Sequence, residues 1–363
     1  MLYVGSSSIK SYGRVKGGGM SSSIYYKYFI VLLGCSFLSG FVLKTELGGK
    51  GIIVFSQLVL SFVLIFYVFS NTLYEKRWFF LSIGLILLLI VNGSRIGSTL
   101  MVCVNLVMFY ILRKGSGDIN IGKLIGYKFL YVYIFFALLV GGYDFMQSDP
   151  FMWTLDNKFF ELGRLKMFTS EPSYLGMLIA PMLFYENSYI NKFALGLVVL
   201  LTQSYFAFLF ICFIWVLKSK YYPYVVVVLG GIVLNYIYAL SFYDFFQDSG
   251  LVRLVGIKLF DDIGSLLFFL GGGLGSGDAI LTNKFQAVGV DIGNGFAFST
   301  LYDLGIIGLL LFSLIVVRGL REFFILLFLL FNFGIGSVLV PLLFFLSSQV
   351  YKSKSYEDSV CDK

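Results

Sequence analysis

Long apolar runs, broken at short intervals by a few polar or basic residues, fill most of the chain. They predict helices at 24–43, 52–72, 78–92, 95–112, 124–142, 172–186, 193–217, 223–242, 299–317 and 322–348, and a helix that crosses a membrane needs ~20 predominantly apolar residues. The stretch 193–217 contains Thr202-Gln203-Ser204 and is predicted to break there, and the last stretch to break between Asn332 and Gly336. About twelve membrane helices result, several of them short. At ~1.5 Å per residue, 78–92 and 193–202 reach only ~22 Å and ~15 Å, less than the ~30 Å hydrocarbon core. Short helices meeting at polar turns predict a cavity open to one face.

Charge orients the pattern. With the N-terminus inside and both breaks made, Lys76, Arg77, Arg113, Lys114, Lys123, Lys128, Lys192, Lys218, Lys220, Arg318, Arg321, Lys352 and Lys354 all fall on one side. This is the lysine and arginine excess of cytoplasmic loops. A single span over 193–217 would put Lys218 and Lys220 on the other side and separate the two longest loops. The expected organisation is a flexible cytoplasmic N-terminus over 1–23, one transmembrane domain over 24–348 with outside loops 143–171 and 243–298, and a cytoplasmic tail over 349–363. The leading segment does not read as a cleaved signal peptide, since the apolar run after it lacks a small-residue cleavage site. Met20, followed by three serines, is an alternative start to Met1.

Composition fixes the class. Hydrophobic residues make up 58% and charged residues 13%, against roughly 25% charged in ordinary domains, and the mean hydropathy is +0.89. The predicted fold is all-α, a polytopic integral membrane protein. With 41 Phe, 25 Tyr, 40 Gly and only 5 Pro, disorder, collagen-like repeats and a water-filled β-barrel are excluded. The chain has no histidine, so imidazole base catalysis and histidine-ligated metals are excluded too. Cys35, Cys103 and Cys212 lie in apolar stretches and Cys361 in the tail, which suits packing rather than a disulfide framework or a zinc site. The net charge of +7 sits in short clusters between apolar runs and follows membrane topology, not nucleic-acid binding.

The polar residues of the outer side carry whatever chemistry there is. Arg95 follows Asn92-Gly93-Ser94 between two short helices, and either faces a cavity or snorkels to lipid headgroups. Gln203 occupies the corresponding turn of another helix pair, as a ligand to substrate or an inter-helix hydrogen bond. The first loop ends in Arg164 and Glu171-Pro172-Ser173. Pro172 suits a first helical turn and Glu171 either caps it or accepts a proton from a hydroxyl nucleophile. In the second loop, Leu251, Leu254, Val255, Lys258, Leu259 and Ile263 follow helical spacing, predicting an amphipathic surface helix that carries Arg253 and the solvated pair Asp261-Asp262. Gly271-Gly272-Gly273-Leu274-Gly275-Ser276-Gly277 lacks the lysine ending of a phosphate loop and reads as a flexible turn. Asp291 and Asn294 are placed to hydrogen-bond a polar ligand. Tyr143, Trp153, Tyr243 and Phe296 either stack on sugar rings or sit in the interfacial belt.

Three pieces in this order and on one side resemble the O-antigen polymerase and ligase superfamily, in particular Wzy-type O-antigen polymerases. They are the Ser94-Arg95 turn, Arg164 with Glu171-Pro172-Ser173, and Arg253 followed by the glycine-rich turn and Asp303-Leu304-Gly305-Ile306-Ile307-Gly308. The arginine, ten-residue, glycine spacing from Arg253 to Gly264 matches the pattern of the second large periplasmic loop in that family, while Arg164 to Gly176 is one residue longer. The resemblance covers most of residues 78–318.

The resemblance implies a membrane glycosyltransferase of the C type, joining undecaprenyl diphosphate-linked oligosaccharide repeats into O-antigen of lipopolysaccharide or a related surface polysaccharide at the periplasmic face of the inner membrane. It implies no cofactor and no metal, lipid-linked donor and acceptor as partners together with membrane lipids and a chain-length regulator protein, and no nucleic acid. Arg164 and Arg253 would hold the leaving diphosphate through bidentate, always-charged donors, with Arg95 a third candidate. Glu171 is the first candidate for the carboxylate that activates the sugar hydroxyl and Asp291 the second; Arg95, Asp291, Asn294 and Gln203 are candidates for substrate binding. The ligase branch generally uses a periplasmic histidine, which this chain lacks. A flippase of lipid-linked oligosaccharides is the alternative from another class; it would carry charges deep in the spans and need no large one-sided loops.

Overall fold

The computed structural model describes residues 29–34, 36, 42–43, 50–51, 76–94, 96–115, 135, 160–161, 164–165, 172–186, 188–240, 265–277, 279, 299–335, 337 and 339–361. Their architecture is all-α, built from α1 (Lys76–Val91), α2 (Ile96–Gly115), α3 (Pro172–Met182), α4 (Tyr189–Thr202), α5 (Tyr205–Lys218), α6 (Tyr222–Ala239), α7 (Ser265–Leu270), α8 (Ser299–Val316), α9 (Leu320–Phe333) and α10 (Leu339–Cys361). Two antiparallel ladders of two residues per strand complete it: β1 (Val42–Leu43) with β2 (Lys50–Gly51), and β3 (Phe160–Glu161) with β4 (Arg164–Leu165). Val42 and Leu43, at the end of the first expected helix, are therefore extended. The expected helices at 52–72 and 124–142 lie outside the described residues apart from Phe135, and the expected surface helix over 251–264 lies wholly outside.

Each expected break has a local cause. After α1, Gly93 adopts φ +74, so Ser94 N–H reaches Leu89 O and Gly93 N–H reaches Ile90 O, both at 3.0 Å. That is the Schellman ending, which satisfies the last carbonyls of a helix. Between α4 and α5, Gln203 takes the left-handed conformation at φ 48 and donates its N–H to Leu200 O, and Ser204 then caps α5 by accepting the Ala207 N–H at 3.2 Å. Between α9 and α10 the chain leaves the helix at Gly334. Buried Asn105 of α2 donates Nδ2 to Ile335 O at 2.7 Å and to Ser337 O at 3.1 Å, partnering carbonyls that the break exposes.

The first half of α10 is the central helix. Leu339, Val340, Leu342–Leu346 and Val350 are all buried, an apolar surface all round that only an interior position accommodates. Phe109 of α2 packs edge-on against Phe312 of α8 and Phe344 of α10 at centroid distances of 5.7 and 5.3 Å. Phe210 and Phe213 of α5 stack on Phe328 of α9 at 5.2 and 4.9 Å. α10 continues as helix to Cys361, through the boundary at 349 where the sequence suggested a tail.

Contacts at the helix ends give the bundle two distinct faces. Arg113 near the end of α2 donates to Ile315 O near the end of α8 at 3.1 Å. Lys218 at the end of α5 stands 5.2 Å from the Phe184 ring just beyond α3, and Arg321 at the start of α9 stands 4.8 Å from the Tyr222 ring at the start of α6. These ends together form a basic face. The opposite ends of the same helices hold the α1–α2 turn, the α4–α5 turn and the start of α8.

The exterior between those faces is apolar. Along α6, Tyr224 is 74%, Val227 69% and Ile232 60% exposed, and Leu87, Ile90, Phe193 and Leu200 stand out on α1 and α4. Among the described residues, no helix is long and apolar enough to cross a membrane.

Candidate functional site

The face opposite the basic one is organised around a buried carboxylate, Asp303. α8 is not one helix but two joined at Gly305, whose φ of 63 and ψ of 178 interrupt the ladder. A break leaves carbonyls of the preceding turn without helical donors. Gly272 N–H takes Tyr302 O at 2.9 Å and Gly273 N–H takes Asp303 O at 3.1 Å. The loop then folds back over the side chain: Gly275 and Gly277 donate their N–H groups to Asp303 Oδ1 at 3.1 and 2.8 Å, and Ser276 Oγ lies 3.4 Å from the same oxygen.

Two glycines make this approach sterically allowed. A Cβ on Gly271 (φ +79) would lie 2.6 Å from Gly305 N, and one on Gly305 (φ +63) would lie 2.6 Å from the Leu270 carbonyl carbon. Backbone packs directly on backbone there, and the φ values themselves favour glycine.

The loop also grips the α1–α2 turn. Leu274 N–H donates to Ser94 Oγ at 2.8 Å, and Asn92 Nδ2 donates to Leu270 O. With Gly271 N–H on Leu267 O and Ser276 N–H on Gly273 O, every backbone N–H from Gly271 to Gly277 has an acceptor within the chain. None is left for a phosphate. The turn that the sequence suggested as flexible is tied at both ends, and the anion in its nest is the chain's own Asp303.

On the same face, α3 abuts the α4–α5 turn. A Cβ at Gly176 would lie 2.6 Å from Ala207 Cβ and 3.0 Å from Thr202 Oγ1, so α3 and the turn touch backbone to side chain. Gln203 is exposed at this turn while its neighbours Thr202 and Ser204 are buried. The strand β4, which contains Arg164, contacts α4, and Arg164 is the register partner of Glu161 across the β3–β4 ladder.

Of the residues singled out from the sequence, Gln203 has a described side-chain environment and Arg164 a described backbone. Arg95, Glu171, Arg253, Asp291 and Asn294 lie outside the described residues, as do Asp261 and Asp262. Their described neighbours are brought to one face: Ser94 precedes Arg95, and Pro172 follows Glu171 at the start of α3. Asp303 and Asn92 were quoted from the sequence only as parts of motifs. The signal for Asp303 was present, because a carboxylate just inside an apolar run needs a partner. What the sequence does not show is that backbone N–H groups some 26 to 28 positions upstream supply it. Neither models of protein families, nor curated proteins, nor solved structures give a match to this chain.

Proposed function

We propose that the chain is a polytopic inner-membrane glycosyltransferase that polymerises undecaprenyl diphosphate-linked oligosaccharide units at the periplasmic face, with both termini cytoplasmic. One observation carries the reading. The α1–α2 turn, the glycine loop and the start of α8, three segments of the family-like pattern far apart in sequence, are hydrogen-bonded into one assembly at the face opposite the arginines and lysines. The apolar exterior of α1, α4 and α6 supports the membrane part, since a soluble monomer rarely leaves so much contiguous apolar surface in water.

In this mechanism a hydroxyl of the incoming unit attacks the anomeric carbon of the growing chain. Glu171, or Asp291 in its place, takes the hydroxyl proton as the new C–O bond forms. The bond from the anomeric carbon to the diphosphate breaks, and undecaprenyl diphosphate leaves with the electron pair. Arg164 and Arg253 meet the charge that develops on it, with no metal in the step. Arg95, carried next to Ser94, binds the diphosphate, while Gln203 and Asn294 hydrogen-bond the sugars.

The test is the surface-polysaccharide ladder of cells lacking the protein. A lipid core bearing one repeat unit is the expected result. A bare core would replace polymerase by ligase or flippase.

A further inference from the structure

α6 is held to the bundle along one side. Tyr222 and Val226 pack against the core, and the Arg321 guanidinium stands 4.8 Å from the Tyr222 ring. At 3.6 residues per turn, Tyr224, Val228, Gly231, Asn235 and Tyr238 fall together on the opposite side, and all five are exposed. Their spacing of four, three, four and three residues is the alternation that keeps one seam of a helix turned toward a partner helix.

Two members of this seam do not suit a surface that meets only lipid chains. Asn235 carries a carboxamide that has no hydrogen-bond partner among the described residues. It stands 13 positions after Tyr222, so it lies ~20 Å from the basic end of α6, within the ~30 Å hydrocarbon core of the proposed orientation. A polar side chain at that depth is costly unless another polar group reaches it. Gly231, one turn earlier, has nothing within 4 Å of where a Cβ would stand. No contact inside the chain requires a glycine there, and glycine weakens a helix. On a helix within a bilayer, its use is to let a second backbone come close.

We infer that the exposed side of α6 is the contact surface of a parallel, two-fold homodimer. The occupant is a second copy because of how the seam repeats itself. A membrane holds both copies in one orientation, so each residue of the seam meets its own counterpart at the same depth. The Asn235 carboxamide both donates and accepts, and two of them satisfy each other across the two-fold axis. Asn235 falls at a heptad position where a single asparagine selects two helices and fixes their register. Gly231 faces Gly231 one turn below, where the backbones approach most closely, and Tyr224 and Tyr238 close the seam at its two ends. The inference rests on the membrane part of the proposed function and on none of its catalytic part.

The test is dimerisation of the full chain in liposomes, read as energy transfer between donor-labelled and acceptor-labelled copies as the protein is diluted in lipid. Wild type is expected to pass from dimer to monomer over the dilution series. Asn235→Leu and Gly231→Ile should each weaken the dimer at least ten-fold. Gly230→Ile, which projects about 100° away from the seam, should leave it within two-fold of wild type. Melting temperatures of the diluted monomers show that the variants are folded. Oxidation in native membranes gives a second readout: Val228→Cys should cross-link copy to copy above the level of the unsubstituted chain, and Val233→Cys, on the side turned toward the bundle, should not. A wild-type chain that is monomeric at every dilution, a dimer unaffected by both Asn235→Leu and Gly231→Ile, or cross-linking of Val228→Cys only to a different protein would overturn the inference. A chain recovered outside the membrane fraction would sink the membrane reading itself, whereas an integrated monomer would sink only the dimer.

Discussion

Gly277 donates its backbone N–H to Oδ1 of Asp303 at 2.8 Å, although 26 residues separate them, and this bond closes the loop that fixes the α1–α2 turn against α8. A carboxylate is suited to the role because a single charged oxygen accepts from Gly275, Ser276 and Gly277 together. Asp303→Asn keeps the shape and one acceptor but loses the charge. Hydrogen bonds to charged groups contribute roughly 1.5–3 kcal/mol each, against about 1 kcal/mol for neutral ones. Thermal unfolding in detergent should rank wild type above Asp303→Asn and Asp303→Asn above Asp303→Ala, which loses every side-chain bond to the loop. An Ala variant as stable as wild type would show that the loop does not depend on this carboxylate.

Glycines in the helices separate into two kinds, and the difference is measurable. Gly176→Ala puts a Cβ 2.6 Å from Ala207 Cβ and 3.0 Å from Thr202 Oγ1, so α3 must shift from the α4–α5 turn. Overpacking of this kind costs about 1–3 kcal/mol. Gly230, in the middle of α6, has nothing within 4 Å of where a Cβ would lie. Gly230→Ala should be neutral or stabilise by about 0.5–1 kcal/mol through helix propensity alone. Melting temperatures moving the same way in both variants would contradict the packing of α3.

How much of this was legible in the sequence differs by element. The breaks at Gln203 and near Gly334 were readable because polar residues and glycine interrupt apolar runs, and the basic clusters already sorted the helix ends. The partnership of Asn105 with Ile335 O and Ser337 O was not, since an asparagine within an apolar run looks the same whether it faces a neighbouring helix or a distant broken one. The glycine loop shows the same limit. Its composition suits both a phosphate nest and a turn, and only the position of Asp303 decides which anion it holds.

The two faces of the bundle make a topological prediction. Ser219 ends α5 on the basic face, whereas the proposed topology puts Asp156 and Asp278 in the two long outside loops. Cysteines introduced at Asp156 and Asp278 should react with a membrane-impermeant thiol reagent in intact spheroplasts, and a cysteine at Ser219 should react only after permeabilisation. Labelling of Ser219→Cys in intact cells would invert or break the proposed orientation.

The proposed chemistry stands or falls on the geometry of its arginines. Lysine and arginine both snorkel to headgroups and both keep their charge, so residues that merely anchor a loop tolerate exchange. A diphosphate clamp does not, because lysine lacks the planar two-pronged donor. The loss of one charge-assisted hydrogen bond, roughly 1.5–3 kcal/mol, corresponds to on the order of ten- to a hundred-fold in rate when the bond is made in the transition state. Arg164→Lys and Arg253→Lys should therefore insert normally and polymerise poorly, with the alanine variants worse. The assay is the rate and length of chain elongation on lipid-linked repeats at matched expression. Wild-type rates from both lysine variants would remove the diphosphate clamp from the mechanism.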